Sequence, residues 1–147
     1  MPKVVFDTVV FVRTLINPHN YCGRAVFEHS AGYRLFLSAP IVREILEVLH
    51  REELTRRFRR LAGLDLARII ELLGAAEIVE VPSVAKVSRD PKDDIFLATA
   101  IAADADYLVS EDEDLLVLGE HHGIKIVTCS VFLDMLRNQG AHGGPKE

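Results

Sequence analysis

Short apolar runs alternate along this chain with longer stretches of helical periodicity, and that alternation leaves few architectures open. The runs are KVVF (3–6), RLFL (34–37), EIVEV (77–81), DYLV (106–109) and IKIV (124–127). Between them the apolar spacing predicts helices near 24–31, 40–60, 66–73, 92–104 and 131–138, with Gly32, Gly63, Gly74, Gly119 and Gly123 as stops or turns. Strand alternating with helix implies a parallel sheet of five strands covered on both faces, the doubly wound α/β class. The 147 residues suit one domain, placed at 1–138, with 139–147 as a flexible C-terminal tail.

Composition narrows the class. Residues that are 49% hydrophobic and 27% charged describe a globular chain with a core of its own. No apolar run approaches the ~20 residues that span a bilayer. The start MPKVVFD has no signal-peptide layout, so a cytoplasmic protein without membrane contact is expected. The net charge of −5 argues against coating nucleic acid by bulk charge, but leaves room for a local basic patch beside an acidic site. Cys22 and Cys129 lie far apart without a CxxC partner and are read as buried packing thiols. His121 and His122, between turn glycines, are read as facing solvent.

In doubly wound folds ligands bind beyond the carboxyl ends of the strands, where strand order reverses. Strand one ends in Asp7, a carboxylate between two apolar runs whose desolvation needs a cation or hydrogen bonds to offset it. The fourth strand is followed by SEDED, Ser110 to Asp114. In SAPIVREILEVL, Glu44 borders the apolar stripe of Ile41, Ile45 and Val48, whereas Glu47 falls on the wetter side. In SRDPKDDIFLATA, Asp90 before Pro91 suits a helix N-cap, and Asp93 then takes the position of a capping-box acid. The helix that follows is apolar nearly all round and is expected to be buried. Its periodicity leaves Asp93 and Asp94 tied.

Asp7, Glu44, one of Asp93 and Asp94, and Asp112 thus form four carboxylates from four elements aimed at one end of a sheet. Such a set requires positive charge. Oxygen ligands without imidazole or thiolate suit Mg²⁺ or Mn²⁺ rather than Zn²⁺.

The segments VVFDTVVFV, LSAPIVREILEVL, RDPKDDIFLATAIAADADYLVSEDEDLL and GIKIVTCSVFLDML, in that order, resemble PIN-domain proteins, most closely the VapC-like toxin components of prokaryotic toxin–antitoxin systems. The similarity runs from Lys3 to Arg137. It implies a three-layer α/β/α fold with parallel strand order 3-2-1-4-5 and a metal-dependent ribonuclease. Its acids fall on Asp7, Glu44, Asp93 and Asp112 as catalytic residues and Mg²⁺ or Mn²⁺ ligands, with Thr8 and Ser110 positioning substrate. The family register selects Asp93 and leaves Asp94 as an auxiliary or outward-facing acid. It also implies an RNA substrate, a cognate antitoxin and a homodimer. Relatives carry Asn two residues after the first aspartate, where this chain has Val9.

HREELTRRFRR adds Arg51, Arg56, Arg57, Arg59 and Arg60, either a grip on the RNA backbone or a solvated helix face paired to Glu52 and Glu53. Two rival functions remain. One is a catalytically weak PIN-like module that binds RNA or protein, supported by Val9. The other is a phosphatase-like hydrolase with Asp7 as nucleophile, disfavoured because the second acid it needs would stand at Val9.

Overall fold

A computed structural model describes residues 1–49, 63–81 and 93–143. At the centre of its six-stranded sheet lies β1 (Lys3–Phe6), with Val4, Val5 and Phe6 fully buried. Burial of successive residues is what a parallel strand covered on both faces requires. β1 pairs in parallel with β2 (Arg34–Leu37) on one side and β4 (Tyr107–Val109) on the other. β3 (Glu77–Ile78) extends the sheet beyond β2, and β6 (Ile124–Val127) extends it beyond β4, both in parallel. The parallel part therefore has the expected order, with residues 124–127 as its last strand.

A sixth strand departs from expectation. β5 (Glu120–His121) pairs antiparallel with β6. His122 and Gly123 both have positive φ, 52° and 78°, the backbone of a tight two-residue hairpin turn. A strand of two residues carries no readable periodicity, so only the turn glycine signals it. His121 is accordingly half-buried rather than solvent-facing, with its ring edge-on to His122 at 4.4 Å.

The helices differ more. α1 (Thr8–Ile16) occupies residues that read as a second apolar run after β1. Val9, Val10 and Val12 are β-branched and disfavour helix by a few tenths of a kcal/mol each. The Asp7 cap, worth about 1 kcal/mol, and the burial of Val10, Phe11, Thr14 and Leu15 outweigh that. The helix expected at 24–31 is irregular: α2 (Tyr21–Gly23) widens into a π-helical turn at Arg24–Glu28, then a 3-10 turn at Ser30–Gly32. α3 (Ala39–Leu49) covers the first part of the expected 40–60. Arg51, Arg56, Arg57, Arg59 and Arg60 lie outside the described residues. In α4 (Gly63–Ala75), Gly63 opens the helix and Gly74 sits inside it, where stops were expected. α5 (Asp94–Ala103) and a short α6 (Glu113–Leu116) follow. α7 (Cys129–Gly143) continues past residue 139, into the segment read as tail.

α5 lies against β1, β2 and β4. It buries Phe96, Leu97, Ala100 and Ala103 but leaves Ile101 42% exposed, so this helix covers the sheet with one face rather than vanishing into the core. Phe132 of α7 meets the rings of Phe6 at 5.9 Å and Tyr107 at 6.2 Å, which places α7 over the sheet face to which those strand residues point. Phe11 and Tyr33 complete the aromatic cluster, 5.7 and 5.3 Å from Phe6. The Tyr33 hydroxyl donates to the Val26 carbonyl at 2.8 Å.

Gly23 is required by space. A Cβ there would overlap the carbonyl oxygen and Cα of Pro18, backbone atoms that cannot rotate away. Gly23→Ala is expected to cost about 2–3 kcal/mol in a denaturant titration; a change within about 0.5 kcal/mol would contradict the close approach.

Candidate acidic active site

Strand order reverses between β1 and β4, the point at which folds of this class bind ligands beyond the carboxyl ends of the strands. Asp7 follows β1 and Ser110 follows β4. The sheet ladder carries into both: Asp7 N–H donates to Val109 O at 3.1 Å, and Ser110 N–H to Val127 O at 2.9 Å. These side chains are thus set on strand ends, not on free loops.

Hydrogen bonds link them outward. Asp7 Oδ1 accepts from Val10 N–H at 3.0 Å as the cap of α1, and Oδ2 accepts from the Ser110 hydroxyl. The Glu111 backbone N–H also donates to this carboxylate. Ser110 Oγ in turn accepts from Asp112 N–H at 2.9 Å. Asp112 Oδ1 caps α6 by accepting from Asp114 N–H at 2.9 Å. Thr8 Oγ1, at the start of α1, donates to Glu44 Oε2 of α3. Glu44 is half-buried while Glu47 is exposed, the division that the apolar stripe of α3 predicted.

Asp93 stands at the N-cap position of α5 and is 6% exposed. Carboxylate oxygens of Asp93, Asp112 and Asp114 lie within 4.8 Å of one another. Asp90 and Pro91 lie outside the described residues. Asp94 is 3% exposed, which corrects the outward-facing expectation: α5 begins at Asp94, and its first turn is covered along with Phe96 and Leu97. Asp114 was missed. Its signal was present in SEDED, since an acid two residues beyond a capping aspartate falls in the first helical turn. Val9 is 40% exposed on α1, beside buried Thr8 and Val10.

Burial pushes the Asp7 carboxyl up to about 6 from its usual 3.8, against the hydrogen bonds from Ser110, Val10 and Glu111, and the Asp112 charge adds to the rise. A raised carboxyl pKa means that the folded state holds the proton more tightly than the unfolded state. The stability it contributes is full below pH 3.8 and lost as pH rises to about 6. For the metal-free protein we expect Asp7→Asn to be more stable than wild type by about 2–3 kcal/mol at pH 7.5, with the gap closing near pH 4. Denaturant titrations across that range measure it, and a gap independent of pH would contradict the desolvation.

A cation near Asp7 would offset the cost of ionising it, and the neighbouring cluster of Asp93, Asp112 and Asp114, which does not include Asp7, offers oxygen donors alone. This donor chemistry fits a hard divalent cation such as Mg²⁺ or Mn²⁺.

The cysteines form a second locus. Cys22 and Cys129, 107 residues apart in sequence, have Cα atoms 5.0 Å apart and are joined as a disulfide. They were expected to be separate packing thiols, because sequence distance says nothing of the packing of α2 against α7 that joins them.

The family model of the PIN domain matches residues 3–114, from β1 through the acidic cluster. No curated protein matches the chain in sequence. Among solved structures it is similar to PAE2754 from Pyrobaculum aerophilum, at 16% identity and a TM-score of 0.58, covering 94% of this chain and 91% of that one. It is also similar to DNA-bound VapBC from Salmonella typhimurium, at 16% identity and a TM-score of 0.57, covering 88% and 99%. VapBC2 from Rickettsia felis, bound to a promoter DNA fragment, matches at 12% identity and a TM-score of 0.55, covering 86% and 98%.

Proposed function

The chain belongs to the PIN-domain family, and from that premise we propose that it is a Mg²⁺- or Mn²⁺-dependent endoribonuclease that hydrolyses RNA phosphodiester bonds as the toxin of a toxin–antitoxin pair. The observation that carries this reading is the convergence of Asp7, Asp112 and Asp93 at the switch point, linked through Ser110 and closed by Asp114.

Asp7, Glu44, Asp93 and Asp112 are the residues that would hold one or two ions. When bound, a divalent ion polarises the phosphodiester, activates a water and stabilises the leaving oxygen. The chain's own residues do the positioning. Ser110 fixes Asp7 Oδ2 and, through Asp112 N–H, the turn that carries the next acid. Thr8 holds Glu44 Oε2, which leaves Oε1 to orient a water or take its proton. In-line attack on such a site yields 5′-phosphate and 3′-hydroxyl ends.

Two of the similar structures are VapBC assemblies bound to DNA, which supports a cognate antitoxin as partner. A homodimer and a cytoplasmic setting belong to the same reading. Among the described residues no helix is long and apolar enough to cross a membrane.

Mixed RNAs incubated with the protein and Mn²⁺, Mg²⁺ or EDTA test the reading. Cleavage with either ion, none with EDTA, and 5′-phosphate products are expected. No cutting with either ion would favour the weak binding module, whose support is exposed Val9 where relatives carry Asn. The phosphatase-like alternative needs a second acid two residues beyond Asp7, where this chain has Val9.

A further inference from the structure

Beside the acidic site, the Cys22–Cys129 pair borders an opening of about 260 Å³. Cys22, itself only 3% exposed, lines that opening with Arg13, Thr128 and Glu111, while Cys129 is fully buried and does not. Cys129 is also the first residue of α7, a helix of 15 residues whose N-terminal end stabilises a thiolate. Glu111 joins this pair to the acids. Its Oε1 accepts from Cys129 N–H at 3.0 Å and lies 3.7 Å from Cys22 Sγ. The same residue's backbone N–H donates to Asp7, and it stands between Ser110 and Asp112.

We propose that Cys22 and Cys129 are a thiol–disulfide exchange site that takes an anionic small-molecule thiol of the glutathione class at Cys22, and that Glu111 transmits its state to the acidic site. The first half stands alone; the second rests on the metal-dependent reading above.

The asymmetry of the pair sets the direction of exchange. An incoming thiolate reaches Cys22 from the opening, where Arg13 complements glutathione carboxylates and offsets the Glu111 carboxylate that lines the same opening. A bond forms from the entering sulfur to Cys22, the Cys22–Cys129 bond breaks, and its electron pair leaves on Cys129 as thiolate. A second thiolate then attacks the entering sulfur and releases Cys22. Two glutathiones are oxidised to their disulfide, and the protein disulfide is reduced to two thiols; glutathione disulfide reverses the sequence. On reduction the two sulfurs move from covalent to van der Waals separation, and the carboxylate beside them is Glu111. The reduced Cys22 thiol can donate to Glu111 Oε1 and the disulfide cannot, so the arm that supports Asp7 is held differently in the two forms and ion affinity changes with the state of the pair. Under a reducing poise such a pair rests as dithiol, which makes oxidation the signal.

Oxidised wild type placed in glutathione buffers, then alkylated and weighed, is expected to interconvert reversibly between disulfide and dithiol. Cys129→Ser is expected to trap glutathione on Cys22 about tenfold faster than Cys22→Ser traps it on Cys129. Mn²⁺ affinity of wild type is expected to differ several-fold between the oxidised and reduced forms, a difference absent from Cys22→Ser. Failure of the pair to exchange, or faster trapping on Cys129, would overturn the exchange site. Equal Mn²⁺ affinity in both forms would overturn the coupling while leaving the metal reading intact. Absence of Mn²⁺ binding in both would overturn the metal reading and the coupling with it.

Discussion

Asp7→Asn is expected to lower metal-dependent RNA cleavage by at least about 10²-fold, the scale on which loss of a ligand exceeds loss of a supporting residue. Asn keeps an oxygen for Val10 N–H and places an amide beside the Ser110 hydroxyl, which has a lone pair to receive it. Cap and ladder therefore survive, and the variant loses the charge that attracts a cation together with one of the two oxygens that Val10 N–H, Ser110 Oγ and Glu111 N–H share. Burial makes that charge costly in the metal-free protein, so the same substitution that removes activity is expected to raise apo stability above pH 6. Opposite movement of activity and stability separates a functional carboxylate from a structural one. Asp93→Asn is expected to lose activity similarly; retained cleavage in both variants would end the assignment.

Phe132→Ala is expected to cost about 3–5 kcal/mol, a large share of the roughly 5–15 kcal/mol that holds a domain folded. Phe132 is fully buried, and its ring meets Phe6 of β1, Tyr33 and Tyr107 of β4 edge-on or tilted at 5.7–6.2 Å. Four rings from four segments leave no small side chain to refill the space, so truncation opens a cavity where α7 meets the central strands. It lies on the helix layer rather than among the acids. A loss below about 1 kcal/mol in a denaturant titration would show that α7 is not the cover of this sheet face.

Strand order was legible because each parallel strand carries its own apolar run and the family resemblance ordered them. α1 was not, because three valines mask a helix that exists through the Asp7 cap and tertiary burial. β5 was not, because a hairpin of two residues has no period to detect. In the acidic site, position relative to strand ends pointed to Asp7, Ser110 and Asp112, and the helical stripe distinguished Glu44 from Glu47. Asp93 and Asp94 could not be told apart by periodicity on an apolar helix, and both are buried. The cysteine pairing had no sequence signal, since it depends on α2 packing against α7 across 107 residues.

The proposed activity requires the acids beyond β1 and β4 to hold a divalent ion. Calorimetric titration of Mn²⁺ into metal-free wild type and Asp93→Asn, both at pH 7.5, tests it most directly. Saturable binding of one or two ions to wild type is expected, weakened at least about tenfold in the variant. Equal affinity in the two proteins would contradict it.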